Sequence, residues 1–225
     1  MFDNIASDYD ALNHIMSLNV DKCWRRRALR RFVTPEKPQQ IMDLACGTGD
    51  FSIAIANAMA EDSHITGVDL SEGMLAVMRK KVNEAGLDRK ISIQTGEGEN
   101  LQFPDKTFDA VTIAFGIRNF ENREKALTEV LRVLKPAGIL VILELSEPSN
   151  PIVRWVYNIY FTKLMPVIGK KVSGDGAAYK YLPASVLNFP KKDEWMQKMR
   201  DCGYTAVTHK AFSLGICRMY TGRKP

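Results

Sequence analysis

The chain has 225 residues, 45% hydrophobic and 25% charged, with 15 Gly and 10 Pro; these proportions fit one folded domain with a sizeable core and exclude disordered, collagen-like and fibrous chains. The net charge of +5 is unevenly spread, with 7 basic against 5 acidic residues over 1–40, 11 against 17 over 41–150, and 13 against 4 over 151–225. Basic flanks suit an anionic surface, lipid or nucleic acid, around an acidic middle with separate work.

The most apolar stretch, 151–168, is interrupted by Arg154, Asn158 and Lys163, too soon for the roughly 20 apolar residues of a membrane span. Cys23, Cys46, Cys202 and Cys217 lie far apart without CxxC spacing or paired histidines, which argues against a zinc site or disulfide scaffold and predicts no metal. The opening Met1-Phe2-Asp3 does not read as a secretory signal, and a cytoplasmic protein is expected.

In chain order, the first 35 residues read as a helical, basic segment: Lys22, Arg25, Arg26, Arg27, Arg30 and Arg31 stand beside Trp24. Arginines at an anionic bilayer and a tryptophan at its interface predict peripheral membrane docking, with a solvated basic face as the competing reading. From 36 to 146, short apolar runs alternate with helical patterns, which predicts a parallel sheet covered by helices on both faces. Strands are expected at Gln40–Leu44, His64–Asp69, Ile91–Gln94, Phe108–Phe115 and Ile139–Leu145, and helices over Asp50–Met59, from Ser71 to Ala85 and from Asn122 to Leu134. Ser71 and Asn122 are N-cap candidates, and Lys135-Pro136-Ala137-Gly138 ends the third helix. Residues 147–190 read as a helical insertion: an apolar helix over Ile152–Met165 and a loop at Gly169–Ala178. A helix apolar over most of its circumference is buried or covers a ligand. The closing segment, 191–225, predicts a helix over Lys191–Cys202 and strands at Thr205–Ala211 and Cys217–Thr221. The whole reads as a single domain.

The segment Asp43-Leu44-Ala45-Cys46-Gly47-Thr48-Gly49-Asp50 carries the chemistry. A strand running into a glycine turn and a helix exposes backbone N–H groups to a ligand, and Asp69, at the end of the next strand, is spaced to take ribose hydroxyls. A dinucleotide site expects G-x-G-x-x-G, whereas Ser52 holds the third position and Asp50 places negative charge where a pyrophosphate would lie. The alternative ligand, S-adenosylmethionine, has no phosphate and a cationic amino group, and the segment resembles the D/E-x-x-x-G-x-G pattern of class I methyltransferases. Asp43, Gly47, Gly49, Ser52, Asp69, Leu70 and Ala114 are therefore candidate cofactor residues. Glu97 and Gly98, after the third strand, are candidates for the adenine edge.

Further motifs resemble one family, the quinone C-methyltransferases of menaquinone and ubiquinone biosynthesis. Tyr9-Asp10-Ala11-Leu12-Asn13-His14-Ile15-Met16-Ser17, with Asp21 and Trp24, is similar to Y-D-x-M-N-x-x-[LIVM]-S-x-x-x-H-x-x-W, with Leu12 for Met and Asp21 for His. Arg132-Val133-Leu134-Lys135-Pro136-Ala137-Gly138, continuing to Glu144-Leu145-Ser146, departs from its counterpart at Ala137, usually Gly. Phe115-Gly116-Ile117-Arg118-Asn119 and Tyr179-Lys180-Tyr181-Leu182-Pro183-Ala184-Ser185 also match, so the likeness spans the chain. The family pattern leads one to expect a short leader before Met1.

The resemblance implies a Rossmann-like class I methyltransferase fold, a mostly parallel seven-stranded sheet with an antiparallel last strand. It also implies transfer of a sulfonium methyl to a ring carbon of a prenylated quinol, demethylmenaquinol ahead of the ubiquinone precursor. Arg118 is assigned to oxyanion stabilisation, Asn119 to orienting the ring hydroxyl or a water, His14 to proton transfer and Tyr9 to a hydrogen bond with quinol or cofactor. Tyr179, Tyr181, Trp155 and Ile159 are expected against the quinol. A small-molecule methyltransferase with another acceptor is the runner-up. A nucleic-acid partner is not expected, because strand four ends in Ala-Phe-Gly-Ile-Arg-Asn and not in the Asn/Asp-Pro-Pro-aromatic tetrad that holds a flipped base. A homodimer stays open.

Overall fold

A computed structural model describes residues 17, 19–160 and 184–225. Helix α1 (Val20–Leu29) precedes a sheet of seven strands: β1 (Gln40–Leu44), β2 (His64–Asp69), β3 (Ile91–Thr95), β4 (Phe108–Ala114), β5 (Leu134–Leu145), β6 (Thr205–Phe212) and β7 (Cys217–Arg223). Their order across the sheet is β3-β2-β1-β4-β5-β7-β6. The pairs among β1 to β5 are parallel, and β7 runs antiparallel to both β5 and β6. The order reverses between β1 and β4, the switch point where open α/β sheets hold ligands.

Strand alternation divides the core. Ile41, Ala110, Val141 and Leu143 face one side, packed with residues of α1, α2 (Asp50–Ala56) and α3 (Glu72–Glu84). Met42, Leu44, Val111 and Ile142 face the other, with residues of α4 (Arg123–Val133) and α6 (Lys192–Asp201). Both predicted caps form: Ser71 Oγ accepts from the Met74 N–H at 3.2 Å and Asn122 Oδ1 from the Lys125 N–H at 2.9 Å. Asn150 caps α5 (Pro151–Ile159) in the same way, with Pro151 in its first turn.

Several boundaries differ from expectation, most by a residue or two; three have a local cause or consequence. Helix α2 stops at Ala56, short of Met59. Strand β4 ends at Ala114 because Phe115 turns into the left-handed region, φ 62°. Strand β5 begins at Leu134, not Ile139: Leu134 pairs with Phe108 and Ile139 with Ala110, and the intervening residues bulge out. At the bulge Ala137 has φ 62°, and its N–H donates to the Lys224 carbonyl at 3.1 Å. Of the apolar helix expected over 152–165, the part beyond 160 lies outside the described residues. No helix among the described residues is long and apolar enough to cross a membrane.

Candidate active site

The glycine turn after β1 uses three left-handed residues: Ala45 (φ 56°), Gly47 (φ 55°) and Gly49 (φ 84°). A Cβ on Gly47 would meet no atom within 4 Å, so its bare backbone faces open space. A Cβ on Gly49 would come within 2.4 Å of Met78 Cγ, so this glycine lets the turn pack against α3.

Asp43 lies directly beneath. Its in-register partner on β4 is Thr112, whose hydroxyl donates to Oδ1 at 2.8 Å, while the Ser52 hydroxyl of α2 donates to Oδ2 at 2.6 Å. Burial raises the Asp43 carboxyl to about 6, against the pull of those two hydrogen bonds. Asp69 is oriented by backbone: Oδ2 accepts from Gly47 N–H at 2.8 Å and Oδ1 from Ser71 N–H at 2.9 Å. A carboxylate has roughly four acceptor sites, so a group held in this way can also receive ligand hydroxyls.

Two cavities of about 380 Å³ each meet along this edge. Gly47, Ala45, Ala114 and Phe115 border both. One, the acidic cavity, adds Asp69, Leu70, Glu97, Gly98, Asn119 and Phe120. A fit to an adenosine-bearing cation rests on these groups: a bare turn, two carboxylates at the open edge and an aromatic ring. The other, the larger-walled apolar cavity, runs from Asp43, Cys46 and Thr48 to α1 and α5. Trp24, Phe51, Phe115, Val153, Val156 and Tyr157 supply much of its apolar wall, and Asp21, Arg25, Asp43, Asp50 and Arg118 its ionisable groups.

Helix α1 is clamped over this second cavity. Arg25 Nη1 lies 3.3 Å from Asp50 Oδ2 and 3.5 Å from Asp21 Oδ2, and its guanidinium stands 5.7 Å from the Phe115 ring centre. Asp50 also pairs with Lys81 of α3. Trp24 is buried and donates to Ser213 Oγ at 3.0 Å, with its ring 6.2 Å from that of Phe115. It is therefore a wall of the site and not an interface anchor, whereas Lys22, Arg26, Arg27, Arg30 and Arg31 are exposed.

Among the expected site residues, the structure joins Asp43, Gly47, Ala114 and Arg118 in the apolar cavity and Asp69, Leu70, Glu97, Gly98 and Asn119 in the acidic one. Arg118 and Asn119 are thus divided between the two. Gly49 and Ser52 border neither: Gly49 packs on Met78, and Ser52, fully buried, reaches the site only through Asp43. Trp155 and Ile159 also border neither, being 66% and 37% exposed on the outer side of α5. The side facing the cavity is Val153, Val156, Tyr157 and Tyr160. Tyr9, His14, Tyr179 and Tyr181 lie outside the described residues. Phe115, Asp21, Arg25 and Tyr157 were not singled out from sequence as residues of the cavity, although Asp21 and Phe115 stand in quoted motifs and Arg25 in the basic segment.

Arg118 is buried. Its Nη1 donates to Glu144 Oε1 at 2.7 Å and to the Phe115 carbonyl, its Nε to Ser185 Oγ at 3.3 Å, and its backbone N–H to Glu144 Oε2 at 3.2 Å.

The model of the ubiE/COQ5 methyltransferase family matches residues 1–224. The chain belongs to this family. It is 44% identical, over 224 residues, to the demethylmenaquinone methyltransferase of Bacteroides fragilis, covering 100% of this chain and 91% of that one. It is equally 44% identical to the ubiquinone/menaquinone biosynthesis C-methyltransferase UbiE of Geobacter sulfurreducens, covering 100% and 87%. Among solved structures, it is similar to a SAM-dependent methyltransferase from Aquifex aeolicus (TM-score 0.65, 18% identity, 89% of each chain). It is also similar to the [4+2]-cyclase SpnF (TM-score 0.69, 19% identity, 89% of this chain and 81% of that one). At those identities the likeness concerns the fold alone.

Proposed function

We propose that the protein transfers the methyl group of S-adenosylmethionine to a ring carbon of a prenylated 1,4-quinol, converting demethylmenaquinol to menaquinol. The observation that carries this reading is family membership over the whole chain together with two adjoining cavities of different character. The acidic cavity suits the nucleoside, with Asp69 for the ribose hydroxyls and Glu97 and Gly98 for the adenine edge. The apolar cavity suits a ring and the start of an isoprenoid tail, between α1 and α5. The bordering residues Gly47, Ala114 and Phe115 then flank the path of the methyl group.

A ring carbon becomes nucleophilic when a neighbouring hydroxyl loses its proton and charge spreads into the ring. Holding that carbon behind the methyl group supplies much of the acceleration. Arg118 borders the apolar cavity and is our candidate for steadying the oxyanion, with its charge set against Glu144. Because Asn119 faces the acidic cavity, we assign it to the cofactor side and not to the quinol hydroxyl. The ubiquinone precursor is a second reading, favoured by the dual name of the Geobacter relative. We also read the enzyme as cytoplasmic and peripheral to the membrane, since Ile152 and Trp155 of α5 are exposed and the basic side of α1 is open to anionic lipid.

The test is anaerobic incubation with methyl-labelled S-adenosylmethionine and a short-tailed 2-prenyl-1,4-naphthalenediol or its quinone. Label should enter the ring of the quinol. Equal labelling of the quinone, or none of either, would refute the reading.

A further inference from the structure

We propose that Asp21 is the catalytic residue that takes the proton from the quinol hydroxyl. The proposal rests on the quinol reading above. Asp21 is only 3% exposed, yet it borders the apolar cavity from the first turn of α1, between the apolar Val20 and Trp24. A buried carboxylate at an apolar acceptor cavity is in reach of a ring hydroxyl and has little water to compete for it.

The other carboxylates on this cavity have different commitments. Asp43 receives the Ser52 and Thr112 hydroxyls on its two oxygens beneath the glycine turn. Asp50, at the start of α2, borders the cavity as well but is paired with two cations, Arg25 and Lys81. Glu144, bound to Arg118, does not border the cavity. Asp21 is instead aligned from its own helix: Ser17 Oγ donates to Oδ1 at 2.6 Å, and Arg25 Nη1 stands 3.5 Å from Oδ2. Ser17 itself borders the cavity.

The chemistry balances without another reactant. The Asp21 carboxylate accepts the hydroxyl proton, and the ring carbon's electron pair forms the C–CH3 bond as the S–CH3 bond breaks, releasing S-adenosylhomocysteine. The hydrogen on that carbon then leaves as a proton, and the ring oxygen regains one from Asp21 as aromaticity returns. One proton is released overall per methyl transferred.

The experiment compares wild type, Asp21→Asn and Asp21→His on the reduced short-tailed naphthalenediol, with calorimetry of S-adenosylmethionine and thermal melting alongside. Asp21→Asn keeps an acceptor for Ser17 and should lose about 100-fold or more in kcat, the scale of general-base catalysis, with donor affinity within about twofold. Asp21→His should regain at least a tenth of wild-type turnover. Its acid limb should move up, because imidazole gives up its proton at higher pH than a carboxylic acid. The limb is read against the neighbouring charges: Arg25 on α1, Asp50 and Lys81 behind it, Asp43 and Cys46 at the turn, and Arg118, Tyr157 and Tyr160 on the cavity wall. An Asn variant within threefold of wild type, or a His variant as inactive as Asn, overturns the proposal while leaving the quinol reading intact. If wild type itself spares the quinol, that reading falls and this one with it. Should Asp21→Asn melt early, the His variant decides alone, and an unmoved acid limb overturns the assignment.

Discussion

The guanidinium of Arg118 and the carboxylate of Glu144, 2.7 Å apart, form an ion pair in which Glu144 is fully buried and Arg118 nearly so. The pair ties the 3-10 turn after β4 to β5, next to the wall of the apolar cavity. Removing one partner leaves the other as a buried charge.

We therefore expect Arg118→Ala to cost about 3–5 kcal/mol of stability. Arg118→Met combined with Glu144→Leu should cost much less, because both charges leave together. Urea unfolding of the single and double variants checks this, and additive losses would contradict it. A double variant that folds normally but turns over at least about 100-fold more slowly would place the guanidinium in the chemistry and not only in the scaffold.

Asp69→Ala should weaken S-adenosylmethionine binding by about 1.5–3 kcal/mol, the scale of a charged hydrogen-bond partner. It also removes the acceptor for the Gly47 N–H, so the turn itself loosens. Calorimetry with an unchanged dissociation constant would rule out Asp69 as a donor-site residue.

Asp43 gives a pH dependence of unusual sign. Its folded carboxyl sits at about 6 against an ordinary 3.8, with burial as the main cause. Between those values the native state binds the proton more than the unfolded chain, so this contribution falls as pH rises from about 4 to about 6. Asp105, Glu124 and Glu129, lowered by Arg132, Lys198 and Arg132 respectively, act in the opposite sense and lose their contribution only at lower pH. Asp43→Asn should therefore gain about 1–3 kcal/mol relative to wild type between pH 4 and pH 7. Denaturation curves at the two pH values with the same difference would remove the argument.

Ala137→Gly should stabilise the protein by about 0.5–1 kcal/mol. At φ 62° an alanine Cβ carries a left-handed cost of roughly 1–2 kcal/mol, partly offset by glycine's greater freedom in the unfolded chain. The bulge in β5 places this demand on the position where the family motif usually has Gly. A lower melting temperature for the glycine variant would refute it.

Much of this was legible from the chain. Short apolar runs joined by helical patterns marked the five strands of the parallel half, and a strand, glycine turn and spaced carboxylate marked the donor side. The acceptor side was harder for physical reasons. In helix α5 the polar stripe of Arg154 and Asn158 leaves the Val153–Val156–Tyr157 side and the Trp155–Ile159 side equally apolar, so polarity alone does not tell which of them faces the cavity. Arg118 and Asn119 are neighbours in sequence, but successive residues of a 3-10 turn point about 120° apart and enter different cavities. Ser52 and Gly49 occupy motif positions whose task is to hold Asp43 and α3, a role that spacing alone does not distinguish from ligand contact.

Ala45 and Phe115 close β1 and β4 in left-handed backbone conformations that side chains rarely adopt, and both border the two cavities. The partition between donor and acceptor compartments is thus built from the ends of β1 and β4, two strands in the interior of the sheet. The outer acceptor walls are contributed by α1 and α5, which lie outside the sheet. Redesign for a bulkier or more polar acceptor therefore has a natural division of labour: exchange residues on the two helices and leave the Ala45–Phe115 partition alone. A library spread evenly over the pocket would include members that damage the part every methyl acceptor shares.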